Sequence, residues 1–98
     1  MAGGYPNTSF ISDNAPASGG GVDTKANFRS DLVSLIANDG AVDVKVAFDQ
    51  PGADADTTGA SAITVKAGEK LTSLPIRSSR IAYRSTGAAS AIRVIGHW

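Results

Sequence analysis

The chain has 98 residues, with nine Lys and Arg against nine Asp and Glu, a single His and no Cys. This length fits one small domain, and a formal charge of zero gives no basic excess to attract a polyanion, so no nucleic-acid partner is expected. The lack of Cys excludes disulfides and cysteine nucleophiles, and the lack of a long apolar run or secretory signal predicts cytoplasmic synthesis without a membrane partner.

Residues 1–27 are rich in Gly, Ser, Ala, Asn and Pro, a composition that has little apolar surface to bury. The segment nevertheless carries three spaced apolar side chains, Tyr5, Phe10 and Ile11. Two interpretations remain open: a disordered tail, or an extended arm that docks these three side chains on a neighbouring subunit. Either one places a boundary after residue 27, so that residues 28–98 form the folded domain.

Apolar residues between Phe28 and Ile36 recur at helical spacing, which is one interpretation of this stretch. A β-hairpin is favoured instead, because the apolar run is followed by Asn38-Asp39-Gly40. Asp-Gly suits a type I′ turn, in which both central residues have positive φ. The second strand of this hairpin is the clearest in the sequence, since residues 42–48 place Val or Phe at every second position.

Residues 50–61 form a predicted loop rich in Asp, Gly and Thr. Beyond it, short apolar alternations separated by turn residues predict strands near residues 63–66, 71–76, 80–84 and 92–98. Five or six strands at spacings near ten residues are typical of an antiparallel sandwich or barrel. We therefore predict an all-β fold, a small antiparallel β-sandwich or barrel with an extended N-terminal arm.

Catalytic and metal-binding patterns are weak. His97 is the only histidine, and no serine stands in a nucleophile-elbow motif, so a surface or interface role is favoured. Asp49, Asp54 and Asp56 cluster around Pro51-Gly52, which suggests a calcium loop, but the EF-hand spacing is absent and solvated loop carboxylates are the favoured interpretation. We expect no catalytic residue, no cofactor, no bound metal and no small-molecule substrate, and hence no enzymatic activity.

Four arginines lie in the C-terminal third of the chain, whereas the aspartates lie before residue 57. One interpretation is a solvated strand face that discourages edge pairing. The other is an electropositive patch that contacts the acidic loop of a neighbouring subunit head to tail, since the planar guanidinium binds carboxylates bidentately. With the three N-terminal apolar residues, the interface candidates are Tyr5, Phe10, Ile11, Arg77, Arg80, Arg84 and Arg93.

Several short stretches resemble small virion proteins of tailed phages. They are residues 65–69 (Val-Lys-Ala-Gly-Glu), 74–77 (Leu-Pro-Ile-Arg), 80–81 (Arg-Ile), 85–90 (Ser-Thr-Gly-Ala-Ala-Ser) and 92–95 (Ile-Arg-Val-Ile), preceded by the strand at 42–46. The resemblance covers roughly residues 28–98 and leaves out residues 1–27 and the loop at 50–61. It implies a compact β-sandwich that forms symmetric oligomers on capsids or at spike bases.

This resemblance leads to a functional expectation. The protein is expected to be a structural component of a phage virion, either a capsid decoration (cement) protein or a spike base, made in the host cytoplasm. Its partners would be further copies of itself and other virion proteins, including the major capsid protein. The alternatives are a structural role in the neck, tail or baseplate, and a carbohydrate- or receptor-binding module, which would need an exposed ring such as that of Trp98.

Overall fold

The computed structural model describes residues 4–20, 22–49, 55–58 and 62–98. Within these ranges the protein has eight β-strands, one 3-10 turn at Ser18–Gly20, and no helix of the length and apolarity needed to cross a membrane. The strands are β1 (Thr8–Ala15), β2 (Thr24–Ser30), β3 (Leu32–Asn38), β4 (Val44–Asp49), β5 (Ile63–Val65), β6 (Lys70–Leu74), β7 (Ser78–Ser85) and β8 (Ser90–His97). The all-β prediction is confirmed, and the helical interpretation of residues 28–36 is wrong because β2 and β3 occupy them.

The strands form two four-stranded antiparallel sheets packed as a sandwich. The first sheet has the order β1-β8-β3-β6 and the second has the order β2-β7-β4-β5. Each sheet therefore has one of the two C-terminal strands in its interior, where that strand pairs on both sides. Of the two predicted architectures, the sandwich is confirmed.

The core lies between the sheets and is built from alternate residues of the long strands, except that a register shift in β3 places Val33 and Ile36 in the core. Its largest fully buried side chains include Phe28, Val33, Ile36, Val44, Val46, Ile81, Ile92 and Val94. Burying one such side chain contributes about 1.5–3 kcal/mol. The ring of Phe28 also reaches the opposite sheet, where a Cβ built on Gly96 would lie 2.7 Å from its carbons, so this close approach requires glycine.

The structure corrects the predicted domain boundary. Strands β1 and β2 lie before or across residue 27, and they are the edge strands of the first and second sheets. Strand β1 pairs with β8 along its whole length, and Ala15 at its end is fully buried. The polar composition of residues 1–27 led to the wrong boundary because an edge strand with one solvated face needs few apolar residues. The ordered conformation of β1 comes from its pairing with β8.

The predicted hairpin is also wrong, because β3 and β4 belong to different sheets. The turn at Asn38-Asp39-Gly40 carries the chain from one sheet to the other. Neither Asp39 nor Gly40 is among the positive-φ residues of the described chain, so the turn is not of type I′. Gly40 is needed for space instead, since a Cβ there would lie 1.9 Å from Ser90 Oγ.

The side chain of Asn38 holds this corner between the sheets. It is buried, and its Nδ2 donates hydrogen bonds to the carbonyl oxygens of Val42 (2.7 Å) and Val65 (3.0 Å). Its Oδ1 accepts hydrogen bonds from the Gly40 N–H (3.1 Å) and the Ser90 hydroxyl (2.9 Å). Because Val65 lies in the second sheet and Ser90 in the first, one amide group fastens both sheets to the turn.

Replacing Asn38 by Ala should lower the free energy of unfolding by about 3 kcal/mol, because it leaves buried donors and acceptors without partners. Urea denaturation followed by circular dichroism measures this change. Asn27→Ala on the exposed face of β2 is the matched control, and it should shift the free energy by no more than about 0.5 kcal/mol. Equal effects of the two substitutions would contradict a structural role for the Asn38 amide.

Candidate interaction surfaces

The outer face of the first sheet carries a continuous apolar row. Cross-strand pairing places Phe10 of β1 opposite Ile95 of β8, and Ile95 opposite Leu35 of β3. Directly opposed residues share a face of the sheet, so these three side chains adjoin one another on the surface. Phe10 is 60% exposed, while Ile95 and Leu35 are half-buried. We call these three residues the apolar row.

His97 lies beside the apolar row on the same face. Its Nε2 is 2.9 Å from Ser34 Oγ, and its Nδ1 is 3.4 Å from Thr8 Oγ1. In a Ser-His-Asp triad a carboxylate would accept the hydrogen bond of the second ring nitrogen, and here the hydroxyl of Thr8 occupies that place. The half-buried position of His97 on an outer face agrees with the predicted surface or interface role.

On the other side of the row, Arg93 forms a bidentate pair with Asp39. Its Nε lies 2.6 Å from Asp39 Oδ2, and its Nη2 lies 3.1 Å from Oδ1. The hydrogen bond from Arg93 lowers the pKa of Asp39 below its usual 3.8, and the same contact raises the pKa of Arg93. Both groups are at the surface, so the pair fixes the orientation of Arg93 more than it stabilises the fold.

Arg84 lies in the second sheet within a largely buried cluster with Asp23 and Thr57, which we call the Asp23 cluster. Arg84 Nε is 3.2 Å from Asp23 Oδ1, and the two side chains are 19% and 7% exposed. Asp23 also accepts hydrogen bonds from the hydroxyl (2.5 Å) and the backbone N–H (3.1 Å) of Thr57. The cluster ties residues 55–58 to the sheet, where Ala55 packs near Ala82.

The other two arginines lie elsewhere on the molecule. Arg77 follows β6 with an 81% exposed side chain, and its Nε is 3.6 Å from Asp31 Oδ1. Arg80 is half-buried in β7, opposite Asn27 of β2 and Asp49 of β4.

The four arginines therefore do not form one patch. Arg84 and Arg93 belong to different sheets, and Arg77, Arg84 and Arg93 each contact a carboxylate of their own chain. The aspartates concerned precede residue 40, whereas the predicted partner was the acidic loop of a neighbouring subunit. Replacing Arg84 by Glu would place a second carboxylate beside Asp23 in the largely buried cluster, so we expect it to destabilise the fold itself.

The acidic segment after β4 is only partly described. Asp49 is 5% exposed, and neither of its carboxylate oxygens has a hydrogen-bond partner among the described residues. Asp56 lies at the surface, where its Oδ1 accepts a hydrogen bond from the Thr58 N–H (2.8 Å) that lowers its pKa. Asp54 lies outside the described residues. Within the described part of the chain, no three His, Cys, Asp or Glu side chains are grouped to hold a metal ion.

The three N-terminal apolar candidates have different environments. Tyr5, which precedes β1, is 47% exposed, and Phe10 is exposed on the outer face. Ile11 points the other way and packs against the core of its own chain, so it does not serve as an anchor for another subunit. Val22, 69% exposed, was not among the candidates. Successive side chains of a strand point to opposite faces, so Phe10 and Ile11 lie on opposite faces of β1. The sequence would have predicted this if residues 8–15 had been recognised as a strand.

Trp98 bears on the alternative of a carbohydrate-binding module. The side chain is half-buried, and the guanidinium carbon of Arg29 lies 4.0 Å from the ring centroid. This cation–π contact covers one face of the indole. A sugar that stacks on this ring would therefore have to use the face that Arg29 does not cover.

Three comparisons with known proteins identified no relative of the chain. No protein-family model, no curated protein and no solved structure matches the chain.

The Asp23 cluster leads to a stability prediction. Thr57→Val keeps the side-chain shape but removes the hydroxyl that donates to Asp23, and a hydrogen bond to a charged group contributes about 1.5–3 kcal/mol. We expect the free energy of unfolding, measured in urea, to fall by about that amount. Thr64→Val, on the exposed position of β5, makes the same chemical change as a control. A loss of similar size in the control would show that the cluster has no special role.

The Arg93–Asp39 pair leads to a pH prediction. A carboxyl with a lowered folded-state pKa stabilises the fold above its unfolded value, and that contribution is lost as the pH falls through the folded pKa. Arg93→Gln should return the pKa of Asp39 toward 3.8, which carboxyl ¹³C chemical shifts measure. The pKa of Asp56 should stay low in the same variant, because it is lowered mainly by the hydrogen bond from the Thr58 N–H. An unchanged Asp39 titration would contradict the assignment.

Proposed function

We propose that the protein is a structural component of a tailed-phage virion that assembles as a symmetric homo-oligomer on the particle. The observation that carries the proposal is the exposed ring of Phe10 in an edge strand, at the end of an apolar row that crosses the outer face of the first sheet. A folded protein of zero formal charge has little electrostatic repulsion between copies, so an exposed apolar strand edge favours association.

The internal polar contacts also support a structural role. The Asn38 corner and the Asp23 cluster satisfy buried polar groups inside the chain and fix the segments between strands. A protein that serves as a building block benefits from surfaces held in one conformation, because less conformational entropy is lost when it assembles. The resemblance of residues 28–98 to small virion proteins supplies the particular setting, a capsid surface or a spike base.

In this role the partners are further copies of the chain and the shell on which it sits, the major capsid protein first among them. The protein would be made in the host cytoplasm and would then bind to the particle. Contacts through the β-sandwich surfaces, with Phe10 at their centre, would take the place of the docked arm expected from the sequence.

Purified particles from the phage whose genome encodes the chain provide the test. After density-gradient purification, tryptic peptides of this protein should be found with the particle proteins in a fixed ratio to the major capsid protein. Antibody labelling in electron microscopy then distinguishes the capsid from the neck, tail and baseplate. Recovery of the protein only in the soluble fraction of the lysate would overturn the proposal.

A further inference from the structure

Among the described residues no strand pairs with the outer edge of β1, and this free edge differs from the other three strand edges of the sandwich. It is eight residues long, with neither a positive charge nor a proline. Strand β6 carries Lys70 and a positive φ at Ser73, β5 has three residues, and β2 has a register shift between Asn27 and Ser30. Short length, charge and irregularity are the features that protect edge strands from pairing with another chain, and β1 has the fewest of them.

The ladder between β1 and β8 determines which backbone groups of β1 face this edge. Asn7 and Trp98 exchange both backbone hydrogen bonds, at 2.9 and 3.0 Å. In an antiparallel ladder such pairs alternate with pairs that make none, so the odd-numbered residues of β1 bond to β8. The even-numbered residues Thr8, Phe10 and Ser12 therefore direct their N–H and C=O groups toward the free edge.

At both ends of this row, the backbone N–H group is either missing or already bonded within the chain. Pro6 has no N–H to donate, and the N–H of Asn14 already donates to Asp13 Oδ1 at 2.8 Å. The available stretch therefore runs from Thr8 to Ser12 and is centred on Phe10.

We propose that this edge pairs with β1 of a second copy of the chain, antiparallel about a two-fold axis that passes beside Phe10. The inference deepens the proposed self-assembling function and rests on it. In this register Phe10 faces Phe10 of the second copy, and Thr8 faces Ser12. Pro6 and Asn14, whose N–H groups are absent or occupied, also fall opposite each other, so the pairing uses the free N–H groups of Thr8, Phe10 and Ser12 and needs neither of the blocked ones.

Charge and apolar surface agree with a second copy as the partner. The only charged residue of β1, Asp13, falls opposite Asn7 of the second copy, so like charges do not face each other. The two Phe10 rings meet on the outer face, and the apolar row then continues through Ile95 and Leu35 of both subunits. The two first sheets become one eight-stranded sheet.

The first test compares solution mass by light scattering across a dilution series. The full-length protein should approach twice its monomer mass of 9.9 kDa. Phe10→Lys places two positive charges opposite each other and should raise the dimer dissociation constant about tenfold or more, which is 1.4 kcal/mol or more. Val22→Lys is the matched control, since it adds the same charge at an exposed apolar residue that does not belong to β1, and it should leave the dimer intact.

The second test uses the absence of native cysteine to determine the register. Thr8→Cys and Ser12→Cys proteins, mixed and oxidised, should form a disulfide dimer, because opposed residues have Cα atoms about 5.5 Å apart. Neither variant alone should cross-link, since the two Thr8 positions would be separated by about 14 Å. Cross-linking confined to the mixture supports the proposal, and a monomer, or a dimer that cross-links equally without mixing, overturns it.

These results are independent of the particle experiment. If the protein is found on particles but Phe10→Lys leaves its oligomer unchanged, the edge pairing is wrong and the virion role stands. If the mixed cysteine dimer forms but the protein is absent from particles, the edge pairing stands and the virion role is wrong.

Discussion

The backbone pairing of β1 with β8 is the constraint on which the first sheet depends. Residues 8–15 bring few apolar side chains, and their order comes from the ladder that runs from Thr8–His97 to Ala15–Ser90. The same ladder turns Ile11 into the core and Phe10 out to solvent. It also fixes which backbone groups are left at the edge. One pairing thus determines the core contact, the exposed ring and the free hydrogen-bonding groups of the N-terminal strand.

The parts of the fold that the sequence predicted are those with strong local alternation. The strand at residues 42–48 was recognisable because Val or Phe recurs at every second position, and the closing strand at 92–98 because Ile92, Val94 and Trp98 share one face. Strand β1 was missed because its outward positions are mostly small and polar, which resembles a linker. The Asp39-Gly40 signal misled for another reason, since the close approach of Ser90 requires glycine there without a positive φ.

The candidate surface was predictable to a smaller extent. Phe10 was identified as an apolar residue without an evident place in the core, and it is exposed. The partners of the arginines were beyond the sequence, because Arg84 and Asp23 are 61 positions apart and meet only through the pairing of β2 with β7. Contacts of that separation depend on the topology of both sheets, and a single sequence contains no local signal for them.

The contact between Phe28 and Gly96 joins the two sheets at one point and has a consequence for evolution. The ring fills the space that a side chain at position 96 would occupy, so neither position is able to change size alone. In an alignment of related sequences, we expect the residue sizes at positions 28 and 96 to covary. Where 96 gains a methyl group or more, 28 should hold a smaller residue such as Leu or Val. The residue sizes at these two alignment positions would then report the distance between the two sheets in each relative.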